Sequence, residues 1–164
     1  MFSSKYSLNF LFLLILIFSS SESISDTITF KGLILSNFWI KNVIANSKTT
    51  SGYIKIENKN EKNERLISVE SNFSKRTELH YMNIKNDIMI MKHLEDGVLI
   101  KSKSQINLKP GSFHIMFIDL TKSFNKTSNQ KVKFNFENAG SIIINMPIIN
   151  KVKISKDKKK NHHH

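Results

Sequence analysis

Short stretches in which apolar and polar residues alternate dominate residues 26–150, and they constrain the fold more than any other feature. A two-residue period built from β-branched and aromatic side chains is typical of half-buried strands. Residues that follow this period are Ile28 and Phe30, Ile54 and Ile56, Val132, Phe134 and Phe136, and Ile142 and Ile144. No stretch carries an apolar helical stripe long enough for a core helix. The pattern therefore predicts an all-β fold.

Residues that favour turns separate these stretches and limit the number of strands. They occur at Asn58–Asn63, Lys85–Asp87, Asp96–Gly97, Pro110–Gly111 and Asn138–Gly140. This spacing predicts about seven or eight strands in a single domain, which suits a β-sandwich or a small Greek-key barrel.

The first 25 residues predict a cleavable signal peptide. Lys5 gives the start of the chain a positive charge, Leu8–Phe18 is almost wholly apolar, and small residues such as Ser23 and Ser25 follow. The apolar run of about eleven residues is too short to cross a bilayer core about 30 Å thick, although a buried N-terminal helix is an alternative interpretation. We expect a periplasmic protein with no membrane span after cleavage. Because no cysteine follows the run, we also expect no lipid anchor.

Residues 151–164 differ in character from the domain at 26–150. They contain six Lys, one Asp and the terminal residues His162, His163 and His164. A charge run of this kind is typical of a solvated, flexible tail. The three His have three interpretations: a remnant of an expression tag, a terminus without a role, or an imidazole cluster for a transition metal. We favour a native terminus, because three His are fewer than a usual tag and no tag linker precedes them.

The absence of cysteine and the scarcity of arginine exclude several classes of function. Without Cys, the chain has no disulfide, zinc–cysteine site, iron–sulfur cluster or thiol nucleophile. The net charge of +12 comes from 25 basic and 13 acidic residues, but Arg65 and Arg76 are the only arginines. Specific recognition of phosphates and bases favours the arginine fork. We therefore expect no nucleic-acid partner.

Methionine and histidine cluster within residues 80–116. The cluster consists of His80, Met82, Met89, Met91, His93, His114 and Met116, whereas residues 26–150 contain only one other such residue, Met146. Side chains at positions i and i+2 of a strand point to one face. His80 would therefore share a face with Met82, and His114 with Met116. Phe113, Ile115 and Phe117 would then face the core.

The segment Lys85–Asp87 can turn the chain and join residues 79–84 and 88–93 into a hairpin. A turn centred between Lys85 and Asn86 would pair His80 with Met91. A shift of one residue would instead pair Met82 with Met91. The sequence leaves this register open, and the strand at 113–118 must lie beside the hairpin to complete a site.

Thioether and imidazole side chains together favour a copper site. Thioether sulfur is a soft, neutral ligand that suits Cu(I), and imidazole binds both oxidation states of copper. Methionine binds without losing a proton, whereas histidine must be neutral to bind. The alternative interpretation is that Met fills the core and that His lies on the surface.

Three segments resemble the PCuAC family of periplasmic copper chaperones: Glu78–Met82, Ile88–Met91 and Leu108–Leu120. The signature of that family is a His, an interval to a Met, and a longer interval to a His-x-Met pair. Here ten residues separate His80 from Met91, as in the family, and twenty-two separate Met91 from His114, one more than is usual. We place the additional residue between Leu94 and Lys103. Further segments similar to the family are Phe38–Lys41, Ser51–Asn58 and Asn135–Gly140.

The resemblance covers residues 27–148 and implies a cupredoxin-like Greek-key β-sandwich with a Cu(I) site near its surface. The ligands that it implies are His80, Met91, His114 and Met116, with Met82 and Met89 as secondary candidates. It also implies that His162, His163 and His164 are a reduced form of an extension that takes Cu(II) in some members.

The role that the resemblance implies is a copper chaperone, not an enzyme. Such a protein carries Cu(I) through the periplasm toward the binuclear copper centre of cytochrome c oxidase. The expected recipients are subunit II of that oxidase or a Sco-type protein, and we expect the chaperone to be a monomer. A general copper buffer and a metal-independent β-sandwich binding module are the alternative functions.

Overall fold

The computed structural model describes residues 26–43, 47–85, 88–121 and 128–150, and these residues form eleven strands and no helix. The strands are β1 (Thr27–Phe30), β2 (Leu33–Lys41), β3 (Thr49–Asn58), β4 (Glu64–Ser71), β5 (Ser74–Lys85), β6 (Ile88–His93), β7 (Val98–Ile100), β8 (Gln105–Leu108), β9 (Phe113–Leu120), β10 (Asn129–Phe136) and β11 (Gly140–Ile149). The all-β prediction is confirmed. The predicted signal peptide at 1–25 and the predicted tail at 151–164 lie outside the described residues.

The predicted number of strands, about seven or eight, is wrong for two physical reasons. Strand β7 has only three residues, too few for an alternating pattern to be visible. Strand β2 contains a β-bulge between Ser36 and Trp39, where Asn37 has a φ of 52°. The bulge interrupts the alternation, so that Phe38, Trp39 and Ile40 are all buried in succession.

The strands form one hydrogen-bonded path in the order β6-β5-β9-β3-β2-β11-β10-β4-β7, with β1 added to β2 and β8 to β3. Strands distant in sequence lie side by side, such as β5 beside β9 and β4 beside β10, which is Greek-key connectivity. Only the short contact between β2 and β11 is parallel among the described pairs. Strand β6 lies at one end of the path and has all six residues exposed.

The core lies between the two halves of this path and is almost entirely apolar. Its fully buried side chains include Leu33, Ile54, Ile56, Leu66, Phe73, Ile115, Phe117, Val132 and Phe134. The predicted core positions Ile115 and Phe117 are confirmed, since neither is exposed to solvent. A Cβ on Gly52 would lie 2.8 Å from Cε2 of Phe117, so β3 needs glycine where it passes β9. Phe117 therefore fixes the position of β9.

No helix in the part of the chain that the structure describes is long and apolar enough to span a membrane.

Candidate metal centre

Three histidines form a row across β6, β5 and β9. His80 is the register partner of His93 on one side and of His114 on the other. Residues directly opposite each other in an antiparallel pair point to the same face. The ring centroids of His80 and His93 are 5.4 Å apart, and those of His80 and His114 are 5.7 Å apart. The sequence pattern did not predict this row, because it depends on the pairing of distant strands.

The hairpin formed by β5 and β6 adopts the second of the two registers left open by the sequence. Met82 pairs with Met91, and Lys85 pairs with Ile88. Met91 is therefore diagonal to His80 and not opposite it. Diagonal neighbours in an antiparallel pair lie about 7–8 Å apart, within reach of a long side chain.

Met116 lies on the other side of the histidine row from Met91. It follows His114 by two residues on β9 and pairs with Glu78 on β5. Its sulfur accepts a hydrogen bond from the Ser51 hydroxyl, at 3.5 Å. Strand β3 therefore contacts the Met116 side chain on the side away from β5.

We call this surface, consisting of His80, Met82, Met91, His93, His114 and Met116, the donor face. The structure brings together on it all four predicted ligands, His80, Met91, His114 and Met116, and also Met82. Met89 lies two residues farther along β6 from Met91 and pairs with Ile84, at the margin of the face. His162, His163 and His164 lie outside the described residues.

Exposure increases across the donor face from β9 to the edge strand β6, where His93 is exposed as well as the methionines. His114 is only 6% exposed, whereas Met91 is 49% and Met89 is 60% exposed. The donor face is therefore buried at His114 on β9 and open to solvent at Met91 and His93 on β6.

The imidazoles of His80 and His114 each use one nitrogen in a hydrogen bond. Nε2 of His80 lies 2.8 Å from Oε2 of Glu78, and Nδ1 of His114 lies 2.9 Å from the Ser112 carbonyl oxygen. Nδ1 of His80 is buried and lacks a hydrogen-bond partner, alone among the buried side-chain nitrogen and oxygen atoms of the described residues. A buried nitrogen without a partner is costly unless something binds it. The donor set thus fits a metal ion.

Burial lowers the pKa of the His114 imidazole below its ordinary value of 6.5. The hydrogen bond to the Ser112 carbonyl acts in the opposite direction, and positive charge on His80 lowers the pKa further. His114 is therefore held in the neutral form, which is the form that binds metals.

The pKa of the Glu78 carboxyl is also lowered, chiefly by its hydrogen bond with His80. Burial opposes this effect, while positive charge on His93, His80 and Arg76 adds to it. An ionised carboxylate therefore lies against the donor face. Sequence reasoning missed this role of Glu78, although its position two residues before His80 on one strand was a usable signal.

No group of three or more His, Asp or Glu side chains is arranged to hold a metal by itself within the described ranges.

A family model described as LpqE-like lipoproteins matches residues 33–148 of this chain. No curated protein matches the chain in sequence.

Several solved structures share the fold. A copper-bound PCuAC domain from PmoF2 is 17% identical, with a TM-score of 0.65, over 75% of this chain and 97% of that domain. An apo PCuAC domain from PmoF1 is 22% identical, with a TM-score of 0.64, over 76% of this chain and 98% of that domain. The solution structure of CuI-DR1885 from Deinococcus radiodurans is 10% identical, with a TM-score of 0.61, over 82% of this chain and 87% of that protein. These matches confirm the predicted cupredoxin-like fold and the resemblance to PCuAC domains.

Proposed function

This chain belongs to the LpqE-like family, and from that premise we propose that it binds one Cu(I) ion on the donor face and passes it to another protein. The observation that carries the proposal is the adjacency of His80 and His114, whose ring centroids are 5.7 Å apart, with Met91 and Met116 on either side of them. Two imidazoles and two thioethers are neutral ligands that suit a soft monovalent ion. The likeness to a copper-bound PCuAC domain supports the same proposal.

The mechanism that we propose is ligand exchange, in which copper is cargo. His114 and His80 hold the ion at the buried end of the face, while Met91 is half exposed on the edge strand β6. An accepting protein can displace an exposed thioether first and then the imidazoles, so that copper is never free in solution. Exchange of this kind needs no nucleophile and no proton transfer, and we expect no catalytic turnover.

The recipient that we propose is the binuclear copper centre of cytochrome c oxidase, reached at subunit II or through a Sco-type protein. We place the chaperone in the periplasm, a location supported by the family's description as lipoproteins and by the signal-like sequence at 1–25.

Competition for Cu(I) under anaerobic, reducing conditions tests the binding step. The purified protein is titrated against a chromophoric Cu(I) chelator, together with the double variant His114→Ala/Met116→Ala. The control is Met89→Ala, which removes one thioether at the margin of the donor face and outside the proposed ligand set. We expect the wild type and the control to bind one Cu(I) ion tightly. The variant His114→Ala/Met116→Ala should lose this tight binding. If the wild-type protein fails to compete, the copper site is wrong and a metal-independent binding module becomes the better interpretation.

Transfer tests the delivery step separately. Cu(I)-loaded protein is mixed with the copper-free soluble domain of oxidase subunit II, and the metal content of each is measured after separation. Movement of copper to the oxidase domain supports a chaperone. Retention of copper by the donor supports a general copper buffer instead.

A further inference from the structure

Three side chains on β5 form a polar line that ends at the donor face. Arg76, Glu78 and His80 occupy alternate positions and therefore share one face of the strand. Nη1 of Arg76 donates to Oε1 of Glu78 at 3.3 Å, and Oε2 of Glu78 lies 2.8 Å from Nε2 of His80. Nε of Arg76 lies 3.9 Å from Oδ2 of Asp119 on β9. Each carboxylate oxygen of Glu78 thus has its own partner.

This arrangement determines which nitrogen of His80 carries the proton. An ionised carboxylate only accepts hydrogen bonds, so the neutral imidazole beside it must donate through Nε2. The lone pair is then on Nδ1, which is the buried nitrogen that lacks a partner.

His114 has the opposite arrangement. The backbone carbonyl of Ser112 can only accept, so Nδ1 of His114 carries the proton and its lone pair is on Nε2. The free lone pairs of the two adjacent imidazoles are therefore on different nitrogens, Nδ1 of His80 and Nε2 of His114.

We propose that Glu78 is a positioning residue that makes His80 bind copper through Nδ1, while the Ser112 carbonyl makes His114 bind through Nε2. This inference rests on the proposed function. Glu78 acts through His80: it fixes the tautomer and the ring orientation, and its negative charge makes the imidazole a stronger ligand. Arg76 holds the second oxygen of Glu78 and thereby keeps the first directed at His80.

Two-bond ¹H–¹⁵N NMR correlation of the histidine rings tests the inference directly, because Cu(I) is diamagnetic. Spectra are recorded for the ¹⁵N-labelled protein without copper and with one equivalent of Cu(I). Without copper, we expect His80 as the Nε2–H tautomer and His114 as the Nδ1–H tautomer. On addition of Cu(I), the Nδ1 signal of His80 and the Nε2 signal of His114 should shift. Conversion of His80 to the Nδ1–H tautomer on binding, with the larger copper-induced shift at Nε2, would overturn the inference.

The variant Glu78→Gln tests whether Glu78 acts on His80 through its charge and hydrogen bond or only by filling space. Glutamine keeps the shape of the side chain. The glutamine amide can donate as well as accept, so it no longer forces one tautomer. We expect both His80 tautomers in the copper-free variant and a loss of Cu(I) affinity of about 10-fold or more. The matched control is Glu61→Gln, which makes the same charge change at an exposed position beyond the far end of β3. An unchanged tautomer and affinity in Glu78→Gln would contradict the role of Glu78.

The wild-type spectra also distinguish this inference from the proposed function. If no histidine signal responds to Cu(I), both fail. If His80 shows the larger shift at Nε2, copper binding stands and only the choice of nitrogen fails.

Discussion

His114 is the donor whose protonation the fold controls most strongly. It is 6% exposed, and burial lowers its pKa below the ordinary value of 6.5. In the unfolded chain the same imidazole would titrate near 6.5. The folded protein therefore holds the metal-binding form of His114 at pH values where an exposed histidine is already protonated.

The lowered pKa predicts how the stability of the copper-free protein depends on pH. As the pH falls below about 6.5, the unfolded state takes up a proton at position 114 before the folded state does. The stabilising contribution of neutral His114 is thus complete above the unfolded pKa and is lost as the pH falls toward the folded pKa. The melting temperature of the wild type should fall more steeply over this range than that of His114→Gln. Parallel curves for the two proteins would contradict the burial argument.

At the scale of elements, the hairpin of β5 and β6 shows what local sequence can predict. The two-residue period correctly placed Met82 with His80 and Met116 with His114, because the alternation of side chains depends only on the strand itself. The register of Met82 opposite Met91 was left open, because it depends on the geometry of the turn. The partners Glu78 and Ser112 were missed although each lies two residues before its histidine, because the alternation of side chains does not show which ring nitrogen forms a hydrogen bond.

The observed register separates the roles of two methionines on β6. Met91 lies one diagonal step from His80, whereas Met89 lies two residues farther along the strand and pairs with Ile84. We predict that Met91→Leu lowers Cu(I) affinity by at least about 10-fold, since leucine has the same size but no sulfur lone pair. Met89→Leu should change it little and is the matched control. Competition with a Cu(I) chelator measures both, and equal effects in the two variants would contradict the assignment of Met91 as a ligand.

At the scale of the whole molecule, the donor face and two buried polar residues, Asn58 and Glu64, lie at opposite ends of the domain. Ser51, beside Met116, and Asn58 are seven residues apart on β3, a distance of about 24 Å. Asn58 is fully buried and donates to the carbonyls of Lys62 and Ile100. Asn58 and Glu64 lie far from the donor face. We therefore expect that a substitution can lower the stability of the fold without changing its affinity for copper.

Substitution of Glu64 tests whether stability and copper binding are independent. It is 2% exposed, and its carboxylate accepts the backbone N–H groups of Arg65, Asn138 and Ala139 at 2.8–3.0 Å. Glu64→Ala would leave these donors without their partner, and we predict a loss of about 2–4 kcal/mol in the free energy of unfolding. Urea denaturation measures this loss, with the exposed Glu61→Ala as a control that should change stability by less than about 0.5 kcal/mol.

Copper binding provides the second readout for Glu64→Ala. At temperatures where the variant remains folded, it should bind one Cu(I) with unchanged affinity. Two results would contradict this prediction. One is a free energy of unfolding for Glu64→Ala equal to that of the wild type, and the other is a loss of copper binding by the folded variant.

The most direct test of the copper site is X-ray absorption at the copper edge of the Cu(I)-loaded protein, prepared with selenomethionine in place of methionine. The donor face predicts that copper has direct selenium neighbours together with imidazole nitrogens, and that the selenium contribution falls in Met116→Leu. A copper ion surrounded only by nitrogen and oxygen, with no selenium within bonding distance, would contradict a thioether–imidazole site on β5, β6 and β9.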